Sequence, residues 1–153
     1  MGRMDEEDIP PLLPVAQMPP IRSQQDLHRH WRALMGRLGF SQRYLWLQLI
    51  DSDQRATPLL MQIEEVPERP EPGMLDNLMV ALSHLVAEDH GSTIAPLVAR
   101  PGPAGITAAD HAWAAGLTAA ARRGGIPMEP VHLATDEEVR IFAPDDLIER
   151  RSA

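Results

Sequence analysis

The 153-residue sequence contains no cysteine and no lysine, and all fourteen of its basic residues are arginines. Without cysteine the chain has no disulfide, no thiolate metal ligand and no cysteine nucleophile, so packing alone must stabilise its fold. Without lysine it has no Schiff-base or lysine general-base chemistry, and it lacks the lysine of phosphate-binding loops. These two absences exclude several classes of enzyme.

The sequence also lacks long apolar runs and an excess of positive charge. No stretch of about 18 apolar residues is present, and the acidic N-terminus does not resemble a secretory signal, so we expect a cytoplasmic protein outside the membrane. The net charge of −8 opposes contact with phosphate backbones, so we expect no nucleic-acid partner. The length and the 44% apolar content fit one globular domain.

Apolar periodicity and turn signals predict a single α/β domain over residues 22–144. The predicted order is α-β-β-α-β-α-β-β, which favours a mixed β-sheet with helices packed on its faces. The predicted helices cover about 23–39, 74–91 and 108–123, and the predicted strands cover about 44–50, 58–64, 92–99, 129–134 and 139–142.

The two ends of the chain differ in composition from the domain. Five prolines interrupt residues 1–21, which predicts a disordered or surface-draped arm. An alternative is that this arm docks on a partner through Ile9, Leu12, Leu13 and Val15. Residues 145–153 are predicted to form a polar C-terminal tail.

Three segments carry a resemblance to a known family. The strand Leu47–Asp53 is similar to a family motif reading Leu-Asp-Ser, and Thr107-Ala-Ala-Asp110 is similar to a Ser-x-x-Asp helix start. Gly125-Ile-Pro127 is similar to a third family segment, and His132 falls near that segment's histidine. From Leu45 to Phe142 the chain thereby resembles the RadC-like branch of the JAB/MPN (JAMM) metalloproteins. The resemblance implies a JAB/MPN-like, cytidine-deaminase-like architecture.

The resemblance also implies a zinc site, which this sequence does not complete. In the family two histidines and an aspartate hold Zn²⁺, and a glutamate activates the bound water. Asp110 matches the aspartate, and Glu64 or Glu65 stands where the glutamate is expected. The two histidine positions fall on residues that cannot supply an imidazole, either Leu97 and Ala99 or Val98 and Arg100. We therefore expect a degenerate member with no bound metal and no other cofactor.

Three functions follow from these residues, and the favoured one is a catalytically inactive protein-interaction or dimerisation module. A second is a divergent hydrolase of the protease or isopeptidase type that holds zinc with Asp110, His111 and His132. A third is a binder of a small anion at the start of the helix that follows Thr107, assisted by Arg100 and Gly102.

The remaining histidines and tryptophans are expected to be structural. His28 and His30 are predicted to face solvent on the first helix. Trp31, Trp46 and Trp113 are predicted to pack in the core.

Overall fold

The computed structural model describes residues 9–143, so the predictions for residues 1–8 and for the C-terminal tail, residues 145–153, lie outside the described part. A short 3-10 helix, Val15–Gln17, precedes the domain. The domain has three helices and five strands in the order α-β-β-α-β-α-β-β. They are α1 Gln24–Met35, β1 Tyr44–Ile50, β2 Ala56–Ile63, α2 Pro72–Val86, β3 Thr93–Ala99, α3 Ala108–Gly124, β4 His132–Ala134 and β5 Val139–Ile141.

The strands form one five-stranded mixed sheet in the order β2-β1-β3-β4-β5. Strand β1 is antiparallel to β2 and β3, β3 is parallel to β4, and β4 and β5 form an antiparallel pair. The prediction of a single α/β domain with a mixed sheet is confirmed. In residues 9–143, no helix has the length and apolar content needed to cross a membrane.

The sheet separates two apolar layers. Because side chains along a strand alternate between faces, Leu45 and Leu47 pack with α2 and α3, whereas Ile50 packs beneath α1. Trp113 and Trp31 are fully buried in these two layers, which confirms that both are core residues. Helices therefore cover both faces of the sheet.

The start of α3 is fixed by its own side chains. Thr107 accepts a hydrogen bond from the backbone N–H of Asp110, and the Asp110 carboxylate accepts one from the N–H of Thr107. This capping box satisfies two N–H groups that a helix N-terminus leaves without partners. At the other end Gly125 adopts the left-handed conformation that ends the helix. The capping box holds Asp110 in the first turn of α3, directly after the loop that follows β3.

The arm lies on the domain surface over residues 9–21. Met18 and Ile21 are buried, and the N–H of Ile21 donates to the carbonyl of Gln54 at 2.7 Å. Arg55 donates from Nη1 to the carbonyl of Met18 at 3.1 Å. The end of the arm nearest α1 is thus attached to the loop between β1 and β2.

The histidines of α1 turn toward the sheet. His30 is 6% exposed, so the prediction that it faces solvent is wrong. Its Nε2 hydrogen-bonds with Oε1 of Gln48 on β1, at 3.0 Å. His28 is half-buried, and its Nε2 contacts the carbonyl oxygen of Val139 on β5 at 2.8 Å. The polar partners on the sheet explain why histidine is accommodated on the inner side of the helix.

Candidate functional site

Asp110, one of the candidate metal ligands, forms a buried ion pair with an arginine. Arg100 follows β3 directly, and Asp110 lies in the first turn of α3. Arg100 is 5% exposed and Asp110 is fully buried. Nε of Arg100 lies 2.8 Å from Oδ1 of Asp110, and Nη2 lies 2.8 Å from Oδ2. Two parallel N–H donors on one carboxylate form the strong, bidentate type of charged hydrogen bond.

The remaining donors of Arg100 bind the backbone of the loop between β3 and α3. Nη1 donates to the carbonyls of Pro101 and Pro103, at 3.0 and 3.3 Å. Nη2 donates to the carbonyl of Gly105 at 2.9 Å. A guanidinium has five N–H donors, and these contacts together with the two to Asp110 use all five. The loop is therefore wrapped around the arginine head group, which has no donor left for a ligand.

The Asp110 carboxylate is held in its ionised form. Burial alone would raise the pKa of Asp110, because the charged form loses its hydration. The hydrogen bonds from Arg100 and Thr107, with the charge of Arg100, outweigh burial and lower the pKa below its usual value. A second guanidinium, that of Arg43, lies 3.7 Å from Oδ1. The carboxylate thus remains an anion enclosed by cationic and N–H groups.

Acidic side chains from the turn between β4 and β5 occupy the outer N–H groups of the same loop. Asp136 accepts from the N–H of Gly102 at 2.8 Å and from the N–H of Phe40 at 2.9 Å. Glu137 accepts from the N–H of Ala104 at 2.7 Å. These backbone hydrogen bonds lower the pKa of Asp136. The protein's own carboxylates therefore fill the positions at Gly102 and Ala104 that a bound anion would use.

The structure does not bring the candidate histidines to Asp110. His132 is in register with Leu97 and lies on the α1 side of the sheet, with its ring 6.2 Å from that of His28. His111 is on α3, on the opposite side, where its ring lies 6.5 Å from that of Phe142. Over residues 9–143, no three histidine, aspartate or glutamate side chains converge in a group that could hold a metal ion.

The two candidate glutamates lie at the end of β2. Both Glu64 and Glu65 are exposed, and Glu65 has a positive φ of 54°. No hydrogen bond or ion pair between either side chain and the Arg100–Asp110 pair is present. The glutamates are therefore surface residues in this structure.

Sequence reasoning named Arg100 and Asp110 but missed Arg43, Asp136 and Glu137. Asp136 and Glu137 lie between the last two predicted strands, and they reach a loop more than thirty residues earlier in the chain. A turn signal indicates that acidic residues are exposed, but it does not indicate which loop they face. No local pattern in the sequence would have identified these contacts.

The close approach of Gly102 to Arg100 gives a first prediction. Gly102 has a φ of +108°, and a Cβ there would lie 3.1 Å from Nη1 of Arg100. We expect Gly102→Ala to lower the free energy of unfolding by about 1–2 kcal/mol, because alanine is strained at this φ and crowds the guanidinium. Urea denaturation measures the effect.

Gly73→Ala is the matched control, because Gly73 lies in α2, has no positive φ, and a Cβ there would contact nothing within 4 Å. We expect Gly73→Ala to leave stability unchanged or to raise it by about 0.5 kcal/mol. Equal urea midpoints for the two variants would show that the loop tolerates a side chain at Gly102.

Comparison with known proteins assigns no function to this site. The chain matches no known protein family, no curated protein and no solved structure.

Proposed function

We propose that this chain is a catalytically inactive JAB-like domain that acts as a protein-interaction or dimerisation module. The observation that carries the proposal is the closed Arg100–Asp110 ion pair. At the position where the family resemblance implies a zinc ligand, the aspartate is bound by a guanidinium whose own donors are all used.

The chemistry of this pair is structural. A catalytic zinc site keeps one coordination position open, and the metal lowers the pKa of the water bound there. A guanidinium remains protonated in proteins, so it neither generates hydroxide nor accepts a proton. It does keep a positive charge beside Asp110, which the buried carboxylate requires. Arg100 thus supplies the balancing charge of a metal ion and the loop contacts, without the reactivity of a metal.

The arm provides the surface that we assign to interaction. Leu12 is 62% exposed, and Leu13 and Val15 are 36% and 37% exposed. Three large apolar side chains within four residues are thus exposed, and exposed apolar groups of this kind are typical of contact sites. We call Leu12, Leu13 and Val15 the arm patch. The folded domain behind it, with its closed polar site, supports a role in presenting this patch.

Zinc binding tests the absence of catalysis. We expect the untagged, full-length protein to retain no stoichiometric zinc after incubation with the metal and desalting, measured by elemental analysis. The hydrolase alternative predicts one zinc per chain that is lost in Asp110→Ala. That pair of results would overturn the proposal of an inactive domain.

Site-specific photo-cross-linking tests the interaction role. We expect a photoreactive residue at position 12 to yield one discrete product, either with a second copy or with one partner protein, in cells that produce the chain. The control is position 80 on α2, since Val80 is 60% exposed and distant in sequence from the arm. The partner's affinity for the purified protein should then fall in Leu12→Asp. An absence of discrete products at position 12, or identical products at both positions, contradicts the proposal.

A further inference from the structure

Strands β2 and β5 form the two edges of the sheet, and they differ in how they are protected. Strand β5 has three residues, one of them Arg140, whereas β2 has eight residues and none of them is charged. Native proteins commonly place charges or prolines on edge strands, which prevents pairing with another chain. Apart from Pro58, β2 has no such device. It is therefore the less protected edge.

The pairing of β3 determines how the backbone groups of β1 are directed. The N–H and the carbonyl of Ile94 both bond to the segment that leads into β4, on one side of β3. Because successive residues of a strand direct these groups to opposite sides, those of Leu97 point the other way, toward its partner Trp46 on β1. Trp46 therefore bonds to β3, and its neighbours in the chain bond to β2.

Two residues of β2 direct their backbone groups away from the sheet. Leu47, next to Trp46, bonds to its partner Met61 on β2. The same alternation then directs the N–H and the carbonyl of both Leu60 and Gln62 outward. Among residues 9–143, no backbone hydrogen bond from outside the strands reaches either residue. The edge therefore offers free donors and acceptors to a further strand.

The arm patch lies next to this edge. Val15 belongs to the short 3-10 helix of the arm, which lies beside β2. The arm makes its backbone hydrogen bond to Gln54, in the loop before β2, and Gln62 is exposed at the other end of the strand. The edge of β2 and the arm patch are thus neighbouring parts of one surface.

We propose that two copies of this chain pair through β2, antiparallel and about a two-fold axis at Met61, so that their two sheets become continuous. Addition of a strand to a free edge is a common mode of recognition, and two-fold dimers are the commonest oligomers. In this register Leu60 of one copy lies opposite Gln62 of the other, so the outward groups of both residues are paired. An axis at Leu60 would instead place Pro58 opposite Gln62, and the carbonyl of Gln62 would lose its donor.

Charge favours contact between two copies at this edge. The chain has a net charge of −8, so two copies repel each other unless they meet where acidic groups are absent. In the proposed register Glu64 lies opposite Pro58 of the other copy, and the two Glu64 side chains are at opposite ends of the contact. Like charges therefore do not meet across the strands. This inference rests on the proposed interaction function and specifies it as dimerisation.

The absence of cysteine allows a direct test on the full-length protein, because Met61→Cys or Gln62→Cys introduces a single thiol. The two copies of residue 61 face each other with Cα atoms about 4.5 Å apart, which a disulfide can bridge, whereas those of residue 62 are about 8 Å apart, which is too far. We expect mild oxidation to link Met61→Cys into dimers at least about tenfold faster than Gln62→Cys. Random collision would favour residue 62, because Gln62 is exposed and Met61 is half-buried.

A second pair of variants tests the outward N–H of Gln62. Proline at this position removes that N–H and leaves the bonds of the neighbouring residues to β1, whereas alanine keeps it. We expect the wild-type protein and Gln62→Ala to be dimers at about 100 μM in analytical ultracentrifugation, and Gln62→Pro to dimerise about tenfold or more weakly. Circular dichroism establishes that each variant is folded, and the cysteine comparison does not depend on the proline variant.

A monomeric wild-type protein at this concentration, equal cross-linking of the two cysteine variants, or equal dimerisation of folded Gln62→Pro and Gln62→Ala overturns the edge dimer. The proposed function has a separate outcome, because photo-cross-linking from position 12 reports on the arm patch. A discrete product with another protein from a monomeric chain leaves the interaction module standing and rejects the edge dimer. Disulfide-linked dimers of Met61→Cys without a discrete product at position 12 support the edge dimer and reject the role of the arm patch.

Discussion

Replacing Asp110 with asparagine is expected to lower the free energy of unfolding by about 3–5 kcal/mol. The amide keeps nearly the same volume but removes the charge that balances Arg100, which is only 5% exposed. The change also weakens the hydrogen bond to the N–H of Thr107 and with it the capping box of α3. Urea denaturation at neutral pH measures the loss.

The chain contains a matched control for this experiment. Arg123 and Asp76 also form an ion pair, with Nη2 and Oδ1 2.7 Å apart, but both side chains are 55% exposed. We expect Asp76→Asn to change stability by less than about 1 kcal/mol, because water screens an exposed pair and solvates the remaining partner. If the Asp110 and Asp76 variants lose similar small amounts, Asp110 is not the structural centre that we describe.

A double variant separates the pairing from the loop contacts. In Arg100→Met with Asp110→Leu no buried charge remains, so we expect it to be more stable than Asp110→Asn alone. It should still be less stable than the wild-type protein, because the carbonyls of Pro101, Pro103 and Gly105 lose their donor. Full recovery would mean that the loop carbonyls find water without cost.

The second large expected effect is a loss of folding stability at acidic pH, caused by His132. Burial lowers the pKa of His132 to about 4 from the ordinary 6.5, with an opposing contribution from the carbonyl of Pro130 and a further lowering by His28. Between pH 6.5 and 4 the unfolded chain binds a proton at this residue that the folded chain does not. Stability is therefore complete above pH 6.5, falls as the pH decreases to about 4, and receives no further change from this residue below that. The loss amounts to about 3 kcal/mol.

His132→Leu should remove this part of the acid sensitivity. The variant keeps a side chain of similar size and eliminates Nε2, which is buried and has no hydrogen-bond partner. We expect the difference in unfolding free energy between variant and wild type to grow in the variant's favour by about 3 kcal/mol from pH 7 to pH 4. His84→Gln is the control for the loss of a histidine, since His84 is exposed on α2. A constant difference across this pH range contradicts the prediction.

Local signals in the sequence predicted much of the fold. The Thr107–Asp110 cap and Gly125 set both ends of α3, because these interactions involve only neighbouring residues. The prediction of strand boundaries was less accurate, because these depend on pairing between residues that are distant in sequence. The strand expected from residue 129 begins at His132, since Met128 makes only an isolated bridge to Ile94 and Pro130 has no N–H for the ladder.

Arg100 and Asp110 of the candidate site were predictable from the sequence, but their contacts were not. Asp110 is identified by its position in a helix-start motif, which is a local property. That Arg100 directs its guanidinium inward depends on the loop carbonyls that surround it, and these are placed by the tertiary fold. The prediction that His30 faces solvent failed for the same reason. Its hydrogen-bond partner, Gln48, lies on a strand that is distant in sequence and contacts α1 only in the folded protein.

The contact between His28 and Val139 gives α1 a protective role in addition to packing. In the pairing of β4 with β5, the carbonyl of Glu138 and the N–H of Phe142 bond inward, so the carbonyl of Val139 belongs to the outer edge of the sheet. His28 occupies that carbonyl, and an occupied edge is a poor template for strand addition by another chain. If α1 detaches from the sheet, the edge of β5 and the apolar face beneath the helix are exposed together. Local unfolding of α1 would therefore promote aggregation.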